Sequence, residues 1–272
     1  MNSGNWNATA SAGVSPGISA LVIVHNEGLI LDECLKRLDW ADYICVVLDK
    51  CTDRSKEIAL SYNARILEGS WEKDGSRHDV GFDFCRTEWI FEVDSDEWIT
   101  GELAKEVRAT INAAEYDVYD VKVDNYVGGR HIVHGWGGGA LGKDSCNALF
   151  RKGLKRWGPQ RAHPHITVAG TVCPECLKNP IIHNIFADIS AIIRCVDRYS
   201  TYRAKDLVRN NEVGSLANAA RKFLSRFWKI YVKRRAWKEK ELGFVLAFCA
   251  GLYPLISHIK AIYEDLPPEE FR

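Results

Sequence analysis

Short β-branched runs alternate with helical repeats in the first half of the chain, and the final third reads as helix. This order predicts an α/β fold: a mostly parallel sheet flanked by helices, with a helical C-terminal appendage. Two further observations support it. Each apolar run ends in a polar turn before the next helical stretch, as right-handed βαβ crossovers require. With 272 residues, 46% hydrophobic and 26% charged, the chain can bury a sizeable core. The 36 Lys and Arg balance 36 Asp and Glu, so bulk charge suggests no polyanionic partner.

Residues 1–16 are uncharged and rich in Asn, Ser, Gly and Ala, which predicts a flexible tail. They lack the basic and apolar regions of a secretory signal. Nine cysteines without framework spacing indicate a reducing, cytoplasmic setting. Ile18–Val24 is a buried strand, and Ile30, Leu31, Cys34, Leu35 and Leu38 recur at helical spacing. Tyr43–Leu48 is a second strand, Asp49–Arg54 a polar turn, and Ser55–Tyr62 a helix. Arg65–Leu67 is a short strand, followed by a helix around Val80–Cys85. Trp89–Val93 is a strand ending in Asp94-Ser-Asp-Glu97. Leu103, Val107, Ile111 and Ala114 mark a helix capped near Thr100. Shorter strands follow, Val118–Val123 and Asn147–Arg151. The main domain is expected over 17–205, with a helical region over 206–272 interrupted at Pro254. The apolar run Gly243–Ile256 is too short to span a bilayer.

In open α/β sheets ligands sit beyond the carboxyl ends of the strands. His25–Gly28, Asp49–Arg54 and Asp94–Glu97 fall at such ends. Asp94 and Asp96 stand two apart in a tight turn, so both carboxylates can face one cavity. Mg²⁺ or Mn²⁺ takes a few oxygen ligands from protein and the rest from phosphate. That chemistry suits an enzyme handling a nucleotide diphosphate, where the metal neutralises charge on the leaving group. The bland alternatives are local: acidic residues cap helices, and Asp49 and Asp53 can close an Asx turn.

Several stretches resemble family 2 glycosyltransferases. These are Ile18–Glu27, with Asn26-Glu27 closing the first strand; Val46–Ala59, with Asp49 and Thr52-Asp53; Trp71 followed by Gly75-Ser-Arg77; and Trp89–Glu97. Trp136, Asp144 six residues before Phe150, Leu149–Lys152, Pro180–His183 and Tyr199–Ala204 are similar to the branch containing lipopolysaccharide core glucosyltransferases. The resemblance implies the GT-A fold, with 17–205 as catalytic domain, and inverting transfer of a sugar from a nucleotide diphosphate. A UDP-sugar is the favoured donor, and a glycan or lipid-linked hydroxyl the acceptor. It implies that Asp49 binds the base, with Asn26 and Glu27 lining the same pocket. Arg77 would face the diphosphate, Asp94 the ribose or donor sugar, and Asp96 the metal. His183 becomes a candidate further metal ligand.

The chain also departs from this branch. Where relatives often carry Val-His-Glu, it reads Ala162-His163-Pro164, and that Glu is the natural general base. Asp144, His163 and His165 remain as candidates, with Asp144 preferred for its spacing to Phe150. Ala148 stands where Arg is common, and His25 and His78 replace commoner residues beside the donor pocket. Cys173-Pro-Glu-Cys176 lacks a second pair, so turn geometry explains it better than zinc. Arg221–Lys240 carries nine Lys or Arg and one Glu, interleaved with Phe223, Phe227, Trp228, Tyr231 and Trp237. This composition suits peripheral docking on the anionic inner face of the cytoplasmic membrane better than nucleic-acid binding. The rival is a solvated helix whose aromatics pack inward. A nucleotidyltransferase would want a Gly-rich basic loop where His25-Asn-Glu-Gly28 stands; a non-catalytic adaptor would rest on Arg221–Lys240.

Overall fold

The computed structural model describes residues 15–71, 74–135, 143–158 and 166–264. The elements are, in order, β1 (Ser15–Val24), α1 (Gly28–Leu35), β2 (Tyr43–Asp49), α2 (Ser55–Ser61), β3 (Arg65–Gly69), α3 (Asp74–Phe84), β4 (Thr87–Val93), β5 (Glu97–Trp98) and α4 (Gly101–Ala113). There follow β6 (Val118–Val127), β7 (Arg130–Ile132), β8 (Ser145–Arg151), β9 (Lys155–Trp157), β10 (Ile166–Val168) and β11 (Leu177–Phe186). The chain ends in α5 (Ile189–Arg209), α6 (Leu216–Trp228), a π-helical turn over Lys229–Lys233, a 3₁₀ turn over Ala236–Glu239, and α7 (Lys240–Tyr263).

The sheet order is β3-β2-β1-β4-β8-β6-β11-β5, with β7 paired to β6. Strands β3, β2, β1 and β4 run parallel. From β8 onward the sheet turns antiparallel, against β4 and against β6. Parallel strands are buried on both faces, so β1 is mostly apolar; Ile18, Ala20, Leu21, Val22 and Val24 are fully buried, and the buried Ser19 hydroxyl pairs with Thr87 Oγ1 at 2.7 Å. The chain divides into two compact units, one of residues 1–122 and 145–181, the other of 123–144 and 182–272. Helices α5, α6 and α7 all fall in the second unit.

In the first unit Leu21, Cys45, Val47, Phe82, Cys85, Ile90, Val118 and Phe150 form one core cluster. Asp42 accepts a bond from Ile18 N at 2.8 Å and a forked pair from Arg108, both at 2.9 Å, tying β1 to α4. Thr100 Oγ1 accepts from Leu103 N at 3.2 Å and caps α4, at the expected place. Helix α3 starts six residues before the apolar pattern around Val80–Cys85 suggested. Its N-terminal residues pack closely on the 157–158 segment, where Gly75 leaves no room for a side chain.

In the second unit Val127, Ile132, Phe186, Ile192, Val196, Leu246, Cys249 and Ala250 make the core. The expected interruption at Pro254 does not occur: α7 runs 24 residues through it. Pro removes one amide and crowds the preceding turn, but packing on α5 and α6 holds the helix together. Lys260 Nζ, buried, donates to Asp197 O, Asp197 Oδ1 and Thr201 Oγ1 at 2.9, 2.7 and 2.7 Å. The apolar run Gly243–Ile256 lies within a longer helical stretch. Ala236–Tyr263 is long and apolar enough to cross a membrane by length and composition, with half of its most apolar stretch buried.

Candidate active site

Strand register creates the site. Val24 pairs with Leu48, Val22 with Val93, and Asp49 with Gly69. The turns after β1, β2 and β4 therefore emerge on one edge, with His25–Gly28, Asp49–Arg54 and Asp94–Glu97 side by side.

The first two turns are laced together. Asn26 sits in the left-handed region at φ 56°, which Asn tolerates better than most residues. Its Oδ1 accepts from Thr52 N at 2.7 Å and from Asp53 N at 3.3 Å. Asp53 Oδ2 accepts from Gly28 N at 2.8 Å, and its Oδ1 takes Ser55 N at 3.1 Å and Ser55 Oγ at 2.6 Å. His25 Nδ1 lies 2.6 Å from Asp49 O. Asn26 and Asp53 thus shape the rim, and the Asx-turn reading holds for Asp53. It does not exhaust Asp49, which is buried and points elsewhere. Asp49 Oδ1 accepts from Trp71 N at 3.0 Å, and its Oδ2 lies 3.6 Å from Arg77 Nη1.

The third turn meets the first through Glu27, whose Oε2 accepts from Ser95 Oγ at 2.7 Å. Burial raises the Glu27 carboxyl above its ordinary value; Asp96 and Asp94 add to this, against the Ser95 hydroxyl and Arg77. The carboxylates of Asp94 and Asp96 and the Arg77 guanidinium all lie within electrostatic range of Glu27. Asp94 N donates to Glu97 Oε2 at 3.0 Å, closing the turn so that Asp94 is exposed and Asp96 half-buried. The hard oxygens of Asp96, Asp94 and Glu27 are the donor type Mg²⁺ and Mn²⁺ take. Among the described residues no three such side chains form a ready-made cage. A cation there would draw further ligands from phosphate and water.

The other expected residues lie apart from this rim in the chain. Asp144, exposed, and His183, buried, belong to the second unit. Asp144 O accepts from Val123 N at 3.0 Å. Asn125 Nδ2 donates to Lys143 O at 2.9 Å, which turns its Oδ1 to His183 Nδ1 at 3.0 Å. Asn125 Oδ1 can only accept, so His183 donates to it through Nδ1. His163 and His165, with Trp136, lie outside the described residues. Cys173 and Cys176 carry free thiols.

Sequence reasoning missed a buried triad beneath the rim. Glu92 accepts from His78 Nδ1 at 2.6 Å and from Lys155 Nζ at 2.5 Å. The available signal was Glu92 itself, an acid flanked by Phe91 and Val93 in a strand otherwise buried.

The Glycosyl transferase family 2 model matches residues 19–152, from β1 through the end of β8. An uncharacterized glycosyltransferase of Rickettsia bellii is 23% identical over 243 residues, covering 84% of this chain and 80% of that protein. The lipopolysaccharide core biosynthesis glycosyltransferase LpsC of Rhizobium meliloti is 22% identical over 255 residues, covering 91% and 92%. Among solved structures, S. aureus TarS superposes with a TM-score of 0.49 at 15% identity, over 85% of this chain, which spans 55% of that longer chain. Three rim turns in register, an acidic Asp94-Ser-Asp96 at the end of β4 and the match over 19–152 agree: residues 19–152 of this chain are a family 2 glycosyltransferase domain.

Proposed function

We propose that the protein is an inverting, metal-dependent hexosyltransferase that moves a sugar from a UDP-sugar to a hydroxyl of a glycan or lipid-linked acceptor. The observation that carries this reading is the rim itself. A buried carboxylate (Asp49) and an arginine (Arg77) face each other beside the acidic turn 94–97. In this reading Asp49, aided by Glu27 and Asn26, holds the base, and Arg77 meets the diphosphate. Asp94 takes the ribose or sugar, and Asp96 ligates Mg²⁺ or Mn²⁺, which supplies charge stabilisation to the departing diphosphate when bound. His183, through its Nε2, is retained as a candidate ligand to be tested by its own substitution. Inversion needs a single in-line attack by the acceptor hydroxyl, so one base suffices and no covalent nucleophile is required. Asp144, His163 and His165 are the candidates for that base.

A lipopolysaccharide-core-like acceptor fits the C-terminal helices. Leu224, Trp228 and Trp237 are exposed among Arg221, Lys222, Arg226, Lys229, Lys233 and Lys238. Phe223, Phe227 and Tyr231, expected at the interface, instead stack on one another and on Phe244 and Phe248 of α7. The proposed docking face therefore rests on the Trp residues and the basic side chains, at the inner surface of the cytoplasmic membrane.

Thermal shift with UDP, GDP and ADP, each with and without Mn²⁺, tests the donor reading. A ligand at 100 times its Kd stabilises by about 2.7 kcal/mol, so UDP with Mn²⁺ should raise the midpoint most. Indifference to all three diphosphates refutes it.

A further inference from the structure

The buried triad lies in the first unit and joins three elements: β4 through Glu92, the first turn of α3 through His78, and β9 through Lys155. Lys155 is 3% exposed and His78 7%. Lys155 Nζ also donates to Asn147 O at 2.8 Å and lies 4.9 Å from the Phe150 ring centre. The His78 ring stacks on Trp157 with centroids 4.0 Å apart and planes 17° apart. Every other residue at the centre of β4 is apolar, and Trp89, Ile90 and Phe91 are all buried.

A buried ion pair is a poor source of stability, because each ion loses its hydration and well-packed apolar groups of similar volume often do as well or better. What it supplies is direction. Hydrogen bonds from two donors to one carboxylate fix relative rotation in a way that apolar contact does not. Here the rotation fixed is that of α3. Arg77 neighbours His78, and its guanidinium sits 3.6 Å from Asp49. With a helix radius of about 5–6 Å including side chains, a roll of only ~20° would carry Arg77 roughly 2 Å off line.

We propose that Glu92, paired with Lys155, is a positioning residue for donor binding: by holding His78 it fixes the roll of α3 and aims Arg77 at the diphosphate opposite Asp49. The proposal rests on the donor reading given above. Burial by itself would raise the Glu92 carboxyl, but the Lys155 charge and the His78 bond outweigh it and hold it at about 2. The anion that orients His78 is thus present at all physiological pH.

The decisive variant is the apolar double replacement Glu92→Leu/Lys155→Met, studied beside Glu92→Gln and Lys155→Met. The double variant removes both charges together, so it should fold and keep its thermal midpoint near that of wild type. The single variants, each leaving one group poorly matched, should be less stable. UDP affinity with Mn²⁺, measured by calorimetry, should nevertheless fall about tenfold in the double variant. Donor KM should rise more than kcat falls. Unchanged UDP affinity in the folded double variant overturns the proposal. Reactivity of Arg77 toward phenylglyoxal, read by peptide mass spectrometry without nucleotide, separates this from failure of the donor reading. If wild type binds no diphosphate, the donor reading fails; Arg77 should still react faster in the double variant, and equal rates overturn the positioning role.

Discussion

Replacing Gly75 by Ala sets two known effects against each other where α3 meets the segment after β9. Gly75 lies in the first turn of α3 with ordinary helical backbone, so Ala should gain at most about 1 kcal/mol in helix propensity. A Cβ there, however, would stand 2.4 Å from Gly158 O and 3.0 Å from the Cβ of Trp157. Carbon–oxygen contacts settle near 3.3–3.6 Å or beyond, so a backbone carbonyl would have to retreat by roughly 1 Å. Overpacking of this kind costs typically 1–3 kcal/mol. The clash wins, and a net loss of about 1–2 kcal/mol is expected. At roughly 2–4 °C per kcal/mol for a chain of this size, the midpoint falls by about 2–8 °C. Gly101→Ala is the control, since nothing lies within 4 Å of a Cβ there and α4 should gain a few tenths of a kcal/mol. Scanning fluorimetry of both variants, with UDP titration, reads the result. Because α3 and the 157–158 segment must part, Gly75→Ala should also weaken UDP binding through Arg77, whereas Gly101→Ala should not. A Gly75→Ala protein as stable as the Gly101→Ala control refutes the close approach and with it the placement of the α3 first turn.

Other outcomes are expected. Asp96→Asn should leave the fold intact while abolishing transfer, because a lost metal ligand removes several kcal/mol of transition-state stabilisation; near-normal turnover in a sugar-transfer assay would sink the metal role. One of Asp144, His163 and His165, when substituted, should lower turnover about 10²–10⁴-fold with donor binding largely kept; full activity in all three variants places the base elsewhere. Liposome flotation should show wild type on anionic but not neutral vesicles, weakening as salt rises, and a Lys229/Lys233/Arg234/Arg235 charge reversal should abolish it. Wild type that ignores anionic vesicles at low salt makes a soluble acceptor the better reading. On acidification, Glu92 contributes stability that is fully present above its ordinary value near 4.5 and is lost as pH falls toward about 2. Denaturant midpoints measured between pH 5 and 2.5 should therefore drop less steeply for Glu92→Leu/Lys155→Met than for wild type; identical slopes count against an ionised Glu92.

By itself the sequence determined the elements that repeat at short range. Val22–Val24 and Val46–Leu48 are strands because β-branched, doubly buried runs have no other comfortable conformation. Thr100 announces α4 because a cap needs only its neighbours three residues on. The polar turns carrying Asn26-Glu27, Asp49 and Asp94-Ser-Asp96 were legible for the same reason, and their assembly on one rim followed from parallel pairing. The tertiary structure decided how the polar turns are tied together. Asn26 and Asp53 spend their oxygens on the amides of Thr52, Asp53, Ser55 and Gly28, and only spatial neighbours reveal that. Pro254 read as a stop because helix propensity is local, whereas α7 persists on packing against α5 and α6. The partners of Glu92 come from 14 residues before it and 63 residues after it, a separation no periodicity encodes. Burying a charge is tolerable only when its counterparts arrive together, and their arrival is a property of the folded chain.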